Sequence, residues 1–141
     1  MKKGFSLAEL LVVIAILAVL AVVAIPAYHT WMQQYYLKEE AQKLNDVIRK
    51  TQSMVITSQE AYYIEFAPTS NAYFIKNPDD TIKEDYQLTR GIFFNAVNIA
   101  DNKVHFTNLG IPDHPGTIVL QNKINQTKTV EISPSGFVKV Y

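Results

Sequence analysis

The chain begins with one long apolar run. From Leu10 to Ala27 no residue carries a charge, and across positions 5–27 the one ionisable side chain is that of Glu9. An α-helix rises 1.5 Å per residue, so about 20 apolar residues cross the hydrocarbon core of a bilayer. The pattern therefore predicts a helix able to span a membrane.

Basic residues flank this run unequally. Lys2 and Lys3 precede it, and the next lysine or arginine is Lys38. Because basic residues favour the cytoplasmic side, we expect the N-terminus in the cytoplasm and the chain after about position 30 outside. Aromatic residues just beyond the run suit the membrane interface, with contacts in an assembly as a second use. These residues are Tyr28, Trp31, Tyr35 and Tyr36.

Beyond Pro26 the helical pattern continues but becomes amphipathic. Apolar residues recur at steps of three and four and form one stripe, while charged and amide side chains occupy the other faces. The stripe consists of Leu37, Ala41, Leu44, Ile48, Thr51 and Val55. A coiled coil is the competing explanation, but the stripe covers only about three repeats and strands follow it. We therefore predict one helix from about Ser6 to Ser58 that packs on a sheet.

From position 60 the period becomes that of β-strands. We predict strands at 60–66, 71–76, 92–94, 104–107, 117–121, 128–133 and 137–141, with turns at 67–70, 77–80 and 134–136. Strands that follow one another without helices between them predict an antiparallel sheet. The expected fold class is α+β: a long N-terminal helix packed on an antiparallel β-sheet head.

Composition narrows the class of function. Lysine plus arginine and aspartate plus glutamate both number 13, so net charge does not point to nucleic acid. Without cysteine there is no disulfide, thiol nucleophile or cysteine-ligated metal. No glycine-rich phosphate loop is present, and His29, His105 and His114 lack the spacing of metal ligands. We expect no enzyme activity, no cofactor and no catalytic or metal-binding residue.

Two binding chemistries have weak support. The aspartates at 79, 80, 101 and 113 could join a calcium site, but they form no recognisable calcium loop. The C-terminal residues 137–141 contain a single basic residue, Lys139, which is too little for an electrostatic footprint on DNA. Neither calcium nor nucleic acid is therefore expected as a partner.

Glu9 separates three interpretations of the N-terminal segment. An ordinary secretory signal peptide explains the basic start, the apolar middle and the small residues Val22 and Ala24. A plain membrane anchor explains the length of the run. A carboxylate near the start of a membrane helix costs on the order of a few kcal/mol unless it is paired or drawn to the interface. Neither interpretation gives Glu9 a role.

The residues around Glu9 carry a family resemblance. Residues 3–9 read Lys-Gly-Phe-Ser-Leu-Ala-Glu, and together with the apolar run and Pro26 they resemble the processing site of type IV pilins, pseudopilins and their relatives. The resemblance implies that a prepilin peptidase cleaves after Gly4 and that the new N-terminus, Phe5, is methylated. It also places the family's assembly glutamate on Glu9 and its helix-breaking proline on Pro26.

Two roles for Glu9 are compatible. Pairing with the free amine of a neighbouring subunit's Phe5 would replace a lone carboxylate by a desolvated ion pair and set the axial register between helices. Alternatively, Ser6 and Glu9 form a capping box that closes the start of the helix. The box serves the monomer and the ion pair serves the filament.

Pro26 also has two interpretations. It lacks an N–H and its ring clashes with the carbonyl of Val22, so it should kink or loosen the helix. It is either a tolerated bend in a membrane helix or a point of local melting that lets the helix stretch when the subunit enters a filament. The sequence leaves both open.

Segments of the second half resemble the minor pseudopilins of the GspH/FimT type. They are residues 40–44, 49, 52–53, 56–58, 62–66, 106–110 and 130–138. The resemblance implies a minor subunit of a type IV pilus or a type II secretion pseudopilus. A major pilin or a competence (DNA-uptake) pseudopilin is the alternative within the family. A secreted soluble binding domain with an ordinary signal peptide is the alternative from another class.

The resemblance also implies an organisation, a location and partners. We expect a leader at 1–4, a transmembrane and assembly helix at 5–27, its amphipathic continuation at 28–58 and a β-rich head at 59–141. The subunit would cross the cytoplasmic (inner) membrane once, with the head outside, and then enter an extracytoplasmic filament. Expected partners are other pilins or pseudopilins, the prepilin peptidase, and the inner-membrane assembly platform with its ATPase.

Overall fold

A single long helix, α1, forms the first part of the structure. The computed structural model describes residues 6–141. Helix α1 spans Leu7–Ser58, which is 52 residues and about 78 Å at 1.5 Å per residue. Ser6 caps its start, and Gln59 ends it in the left-handed conformation by donating its N–H to the Val55 carbonyl at 3.0 Å. The prediction of one continuous helix is confirmed.

Eight strands follow α1 within the described residues. They are β1 (Tyr63–Ala67), β2 (Ala72–Lys76), β3 (Ile82–Gln87), β4 (Phe93–Asn98), β5 (Lys103–His105), β6 (Gly116–Gln121), β7 (Thr127–Ile132) and β8 (Val138–Val140). They form two antiparallel four-stranded sheets, in the orders β3-β2-β1-β5 and β4-β6-β7-β8. Short 3₁₀ segments occupy Pro68–Ser70 and Ala100–Asn102. The α+β class with an antiparallel head is confirmed, and the strands divide between two sheets.

The core lies between the second part of α1 and both sheets. Every residue of the predicted apolar stripe is buried, and all of them except Leu37 are completely so. The sheets contribute Ile64, Phe66, Tyr73, Ile75 and Val104 from the first and Ile118, Leu120, Val130, Ile132 and Val138 from the second. Packing of the stripe on sheets, rather than in a coiled coil, is confirmed.

Asn71 joins the two sheets. It follows the 3₁₀ segment after β1 with a φ of 52°, in the left-handed region that asparagine tolerates. Its backbone carbonyl accepts a hydrogen bond from Leu88 N–H at 2.9 Å, and its side-chain oxygen accepts one from Phe94 N–H at 3.2 Å. These bonds fix the place where the chain leaves the first sheet and enters the second.

Strand β3 is absent from the predicted strands. Its sequence, Ile-Lys-Glu-Asp-Tyr-Gln, has three consecutive charged residues and so lacks the alternation of a half-buried strand. The strand forms because it pairs antiparallel with β2, for example Asp85 opposite Phe74. Pairing at the edge of a sheet, rather than burial, determines this element.

Candidate assembly segment and its junction with the head

The start of α1 carries the predicted capping box. Glu9 N–H donates to Ser6 Oγ at 3.2 Å, and Ser6 N–H donates to Glu9 Oε2 at 2.9 Å. The other carboxylate oxygen accepts no hydrogen bond from residues 6–141. The box therefore leaves half of the carboxylate available. The predicted cleavage junction, Gly4–Phe5, lies outside the described residues.

The apolar part of α1 is exposed along its length. Side chains such as Leu10, Leu17 and Val22 are 53%, 58% and 74% exposed. By length and composition α1 is able to cross a membrane, and none of its most apolar stretch is buried in the protein. Soluble monomers rarely expose contiguous apolar patches above a few hundred Å². This surface requires a bilayer or the helices of neighbouring molecules.

Helix α1 continues through Pro26. Because proline has no N–H, the Val22 carbonyl lacks its usual helical partner. One turn later, Thr30 Oγ1 donates to the Pro26 carbonyl at 3.2 Å, a local bond of a kind that often accompanies a bend in a helix. In the isolated subunit the proline is accommodated within the helix. Melting at Pro26 on assembly stays a prediction.

Three of the four predicted interface aromatics form a ladder on α1. The ring centroids of Tyr28 and Trp31 are 6.4 Å apart, and those of Trp31 and Tyr35 are 5.8 Å apart in a stacked arrangement. All three side chains are exposed. Tyr36 differs, because it packs against the core and the guanidinium of Arg90 lies 4.6 Å from its ring centroid. The ladder is free for an outside contact, whereas Tyr36 belongs to the head.

The head holds α1 from residue 33 onward. Asn122, in the turn between β6 and β7, donates its side-chain N–H to the Gln33 carbonyl at 3.3 Å. Arg90, in the segment between the two sheets, pairs with Glu39 at 2.5 Å. These contacts mark the level at which α1 leaves its own head.

Glu40 is a buried polar residue of α1 that also binds the head. Its side chain is 5% exposed, and its Oε1 accepts a hydrogen bond from Thr89 Oγ1 at 2.7 Å. Neither Glu40 Oε2 nor the buried Tyr73 hydroxyl has a hydrogen-bond partner among residues 6–141. Burial raises the pKa of Tyr73, and the Glu40 carboxylate raises it further, so the phenol stays neutral at physiological pH.

Three separate sequence segments converge on Gln52. Its side-chain N–H donates to the Gly110 carbonyl at 2.6 Å and to the Gly136 carbonyl at 3.1 Å. One turn of helix earlier, Arg49 donates to the Val138 carbonyl at 2.9 Å. Residues 49, 52–53, 106–110 and 130–138 are among the segments that resemble one subgroup. Their common place is this junction between α1 and the head.

Glycine is required where the loops that contain Gly110 and Gly136 meet. Gly136 has a φ of 85°, and a Cβ added there would lie 2.4 Å from the Gly110 carbonyl oxygen. Gly110 has a φ of 78°, and its added Cβ would lie 3.0 Å from both the Gln52 side chain and Ile56 Cδ1. The left-handed conformation and the close backbone approach explain the two glycines.

Asp80, Asp113 and His105 form local hydrogen bonds within the head. Among residues 6–141 no group of three or more His, Asp or Glu side chains is placed to hold a metal ion. Asp113 accepts from His105 N–H at 2.9 Å and lies 3.1 Å from its Nδ1, which fastens the loop after β5. Asp80 accepts a hydrogen bond from the Tyr63 hydroxyl, which keeps the pKa of Asp80 below its ordinary value.

Comparison with known proteins agrees with this architecture. Residues 1–25 match the family model described as the prokaryotic N-terminal methylation motif. The minor pilin FimU of Pseudomonas aeruginosa superposes with a TM-score of 0.62 at 14% identity, over 79% of this chain and 92% of that one. The minor pseudopilin EpsH of the Vibrio cholerae type 2 secretion system gives 0.60 at 14%, over 74% and 95%. The chain has the pilin fold.

The resemblance read from the sequence is thereby confirmed at both ends. The methylation motif covers the segment around Glu9, and the pilin fold covers the helix and the head. The structural neighbours are a type IV minor pilin and a minor pseudopilin. No curated protein sequence is significantly similar to this chain.

Sequence reasoning missed what the polar residues of α1 do. Arg49 and Gln52 were noticed as parts of a motif, but nothing local shows that they bind backbone carbonyls 89 and 84 positions later. Glu40 was likewise noticed without its burial. The available signal is position: Gln52 and Glu40 flank the apolar stripe of the pilin-fold helix, where a polar side chain must find a partner.

Proposed function

We propose that this chain is a minor structural subunit of a type IV pilus or a type II secretion pseudopilus, and that it has no catalytic activity. The observation that carries the proposal is the joint presence of the N-terminal methylation motif and a pilin fold with an exposed apolar helix. The minor rather than major assignment is supported by the names of the structural neighbours, which are a minor pilin and a minor pseudopilin.

In this proposal the precursor is cleaved between Gly4 and Phe5. A prepilin peptidase removes residues 1–4, and Phe5 is methylated on its new amine. Before assembly, the apolar half of α1 crosses the cytoplasmic (inner) membrane, with the N-terminus inside and the head outside. The orientation is supported by Lys2 and Lys3 before the apolar run and by the absence of any further lysine or arginine until Lys38.

Assembly then transfers the helix from lipid to neighbouring helices. An inner-membrane platform and its ATPase would drive this step, and the partners are other pilins or pseudopilins. An apolar helix packs without directional preference, so a polar contact is needed to select one axial register. The free oxygen of Glu9 can supply it by pairing with the Phe5 amine of a neighbour.

N-terminal mass spectrometry of the full chain purified from its native membranes tests the processing step. We expect a chain that begins at Phe5 and carries one methyl group. A retained Met1 contradicts the proposal in favour of a plain anchor, and a new terminus at Ile25 or later contradicts it in favour of signal peptidase. In a Gly4→Leu variant, leader removal should stop, whereas cleavage by signal peptidase near Ala24 would continue.

A further inference from the structure

The end of the head nearest the apolar part of α1 consists of loops whose only charged residues are basic. These loops are residues 67–71, 88–92 and 121–128, and we call this the proximal end of the head. Arg90, Lys123 and Lys128 lie in the loops, and no aspartate or glutamate does. The loops of the proximal end are therefore positively charged.

The loops at the opposite end, which we call the distal end, have the reverse charge. They contain four carboxylates and no lysine or arginine. Two of them bind Gln52, which lies 19 residues and about 28 Å beyond Gln33 on α1. The charge of the head therefore changes from basic to acidic with distance from the apolar part of α1. The distal loops are residues 59–62, 77–81, 106–115 and 133–136.

Two glutamates of α1 at the proximal end do not cancel its positive charge. Glu39 is paired with Arg90 at 2.5 Å, and Glu40 is buried with its Oε1 bound by Thr89. Three lysines of this end form no ion pair with residues 6–141, and they supply its net charge. These are Lys38 of α1 and Lys123 and Lys128 of the second sheet.

A buried side chain fixes the turn between β6 and β7 against α1. Asn122 is completely buried, and its Nδ2 donates to the Gln33 carbonyl at 3.3 Å. Its Oδ1 accepts hydrogen bonds from the N–H groups of Ile124 at 3.1 Å and Gln126 at 2.9 Å. The exposed residues of the turn, Lys123 and Ile124, are therefore held at a defined height along α1.

This height is close to that of lipid headgroups. Gln33 lies six residues beyond Ala27, where the apolar run ends, and so about 9 Å above the hydrocarbon core. The headgroup layer is about 5–8 Å thick on each side of that core. Lys123 can reach it because a lysine stem is long and flexible. Lys38 leans towards it, since side chains on a helix tilt towards the helix N-terminus.

A cavity of ≈380 Å³ lies between two of the three lysines. Lys38 of α1 and Lys128 of β7 both line it, together with Leu37 and three neutral polar residues, and no carboxylate does. Ammonium groups and neutral donors are the groups that bind phosphate oxygens. The cavity therefore offers a place for the phosphate of a headgroup at the junction of α1 and the head.

We propose that the proximal end of the head binds anionic phospholipid headgroups of the membrane that α1 crosses, through Lys38, Lys123 and Lys128. Charge complementarity and the height of the turn both identify this occupant. Each lysine near an anionic membrane surface should strengthen binding about fivefold. Docking would hold the head against the membrane until assembly removes the subunit. This inference rests on the proposed function, because it requires α1 to span the membrane.

A single fluorescent label on the full chain tests the proposal. The chain has no cysteine, so Ile124→Cys places a label at the proximal end and Ser135→Cys places one at the distal end. Each labelled chain is reconstituted into vesicles that contain lipids with a nitroxide on the headgroup. Quenching of the label at position 124 then gives the ratio of docked to free heads, and the label at 135 is the control.

Docking should depend on lipid charge and on salt. We expect the ratio of docked to free heads to be at least ~tenfold higher in vesicles of equal parts phosphatidylglycerol and phosphatidylcholine than in phosphatidylcholine alone. In about 1 M salt the Debye length falls to about 3 Å, and this difference should disappear. Quenching of the label at position 135 should change with neither.

Two triple variants with the same change in net charge test the lysines themselves. The first replaces the three proximal lysines by glutamine, and the second replaces three lysines further from the membrane that also lack ion pairs with residues 6–141. In the mixed vesicles, the ratio of docked to free heads should fall at least ~tenfold in the first and stay within about twofold of the parent in the second. The variants are Lys38→Gln with Lys123→Gln and Lys128→Gln, and Lys43→Gln with Lys83→Gln and Lys139→Gln.

Near-UV circular dichroism checks the fold of both triple variants. If the first does not fold, the dependence of the labelled parent chain on lipid charge and salt decides alone. Three outcomes overturn the proposal. Equal docking in both lipid compositions shows proximity without binding to anionic headgroups. Equal losses in the two triple variants show a general effect of charge. Docking that rises with protein density, also in phosphatidylcholine alone, identifies a neighbouring subunit as the occupant.

Alkaline carbonate extraction of the vesicles separates failure of this inference from failure of the proposed function. A chain that stays embedded without lipid-dependent docking overturns the headgroup interaction and leaves the proposed function standing. A chain that carbonate extracts does not span the membrane, which overturns both.

Discussion

The two halves of α1 bury their apolar surface in different ways. In residues 28–58, which we call the upper half, Leu37, Leu44 and Val55 are at most 2% exposed, because the chain's own sheets cover them. In residues 7–27, which we call the lower half, Leu10, Leu17 and Ile25 are more than half exposed, and no described residue covers them. One continuous helix therefore carries an apolar surface satisfied within the molecule and another that must be satisfied outside it.

This difference shows how one element can serve both folding and assembly. The upper half is amphipathic, so its polar residues can reach backbone carbonyls of the head, as Gln52 does. The lower half is apolar on all faces and cannot select a partner by pattern alone. We propose that specificity there depends on a few polar features, chiefly Glu9. The head and the assembly segment should consequently respond to mutation independently.

The largest expected difference in stability is between two variants that each truncate one apolar residue, one in each half of α1. Leu44→Ala should lower the free energy of unfolding of the head by about 2–5 kcal/mol, because it creates a cavity in a fully buried site. Leu17→Ala makes the same chemical change on the exposed half and should leave head stability unchanged. Denaturation of the full chain in detergent, followed by near-UV circular dichroism, measures both. Equal destabilisation would show that the halves are not independent.

A smaller effect is expected where α1 meets two loops of the head. Gly136→Ala should destabilise the head by about 2–3 kcal/mol, because it adds backbone strain and a Cβ 2.4 Å from the Gly110 carbonyl oxygen. Gly91→Ala is the matched control. Its φ of 76° is similar, but the nearest atoms belong to the flexible Lys123 side chain. If both variants lose the same stability, the close approach of Gly136 to the Gly110 carbonyl is unimportant.

The smallest expected effect on stability concerns the ion pair between Lys50 of α1 and Glu84 of β3. Lys50 Nζ lies 2.7 Å from the Glu84 carboxylate, and its hydrogen bond, followed by that of Tyr86, keeps the pKa of Glu84 below the ordinary value of 4.5. A depressed folded-state pKa adds stability above the ordinary value and loses it as pH falls through the folded-state pKa.

Comparison of wild type with Lys50→Met across pH measures this contribution. For a half-exposed pair we expect a difference in unfolding free energy of about 0.5 kcal/mol at pH 7. The difference should disappear as the solution is acidified below the folded-state pKa of Glu84. A difference that persists in acid would assign the effect to packing of the lysine stem instead.

The sequence predicts the parts of this molecule whose cause is local. The apolar run, the stripe from Leu37 to Val55 and the Ser6–Glu9 box each follow from periodicity or short spacing, and the structure has all three. Strand β3 was missed because pairing with β2, not its own pattern, creates it. The division into two sheets was missed because it depends on Asn71, whose partners lie 17 and 23 residues later.

In the candidate site, too, only the residues with a local cause could be predicted from the sequence. Glu9 and Pro26 could be singled out because a carboxylate and a proline are anomalous in an apolar helix. The links made by Glu40, Arg49 and Gln52 could not, since their partners are distant in sequence and are mostly backbone atoms. Cleavage at Gly4, methylation of Phe5 and pairing of Glu9 between subunits stay predictions.

The two roles of Glu9 can be separated by one pair of variants. Glutamine also completes a capping box, so Glu9→Gln keeps the start of the helix and removes only the charge. Ser6→Ala removes the cap and keeps the charge. Breaking a buried ion pair costs roughly 3–5 kcal/mol, whereas loss of an N-cap costs about 1 kcal/mol.

The decisive measurement is the fraction of each variant in sheared filaments relative to membranes, with leader removal checked by mass spectrometry. We expect processed Glu9→Gln to fall at least ~tenfold in the filament fraction, since that corresponds to only 1.4 kcal/mol, while Ser6→Ala stays within about twofold of wild type. Normal incorporation of Glu9→Gln together with failure of Ser6→Ala would contradict this expectation, and would leave Glu9 as a helix cap.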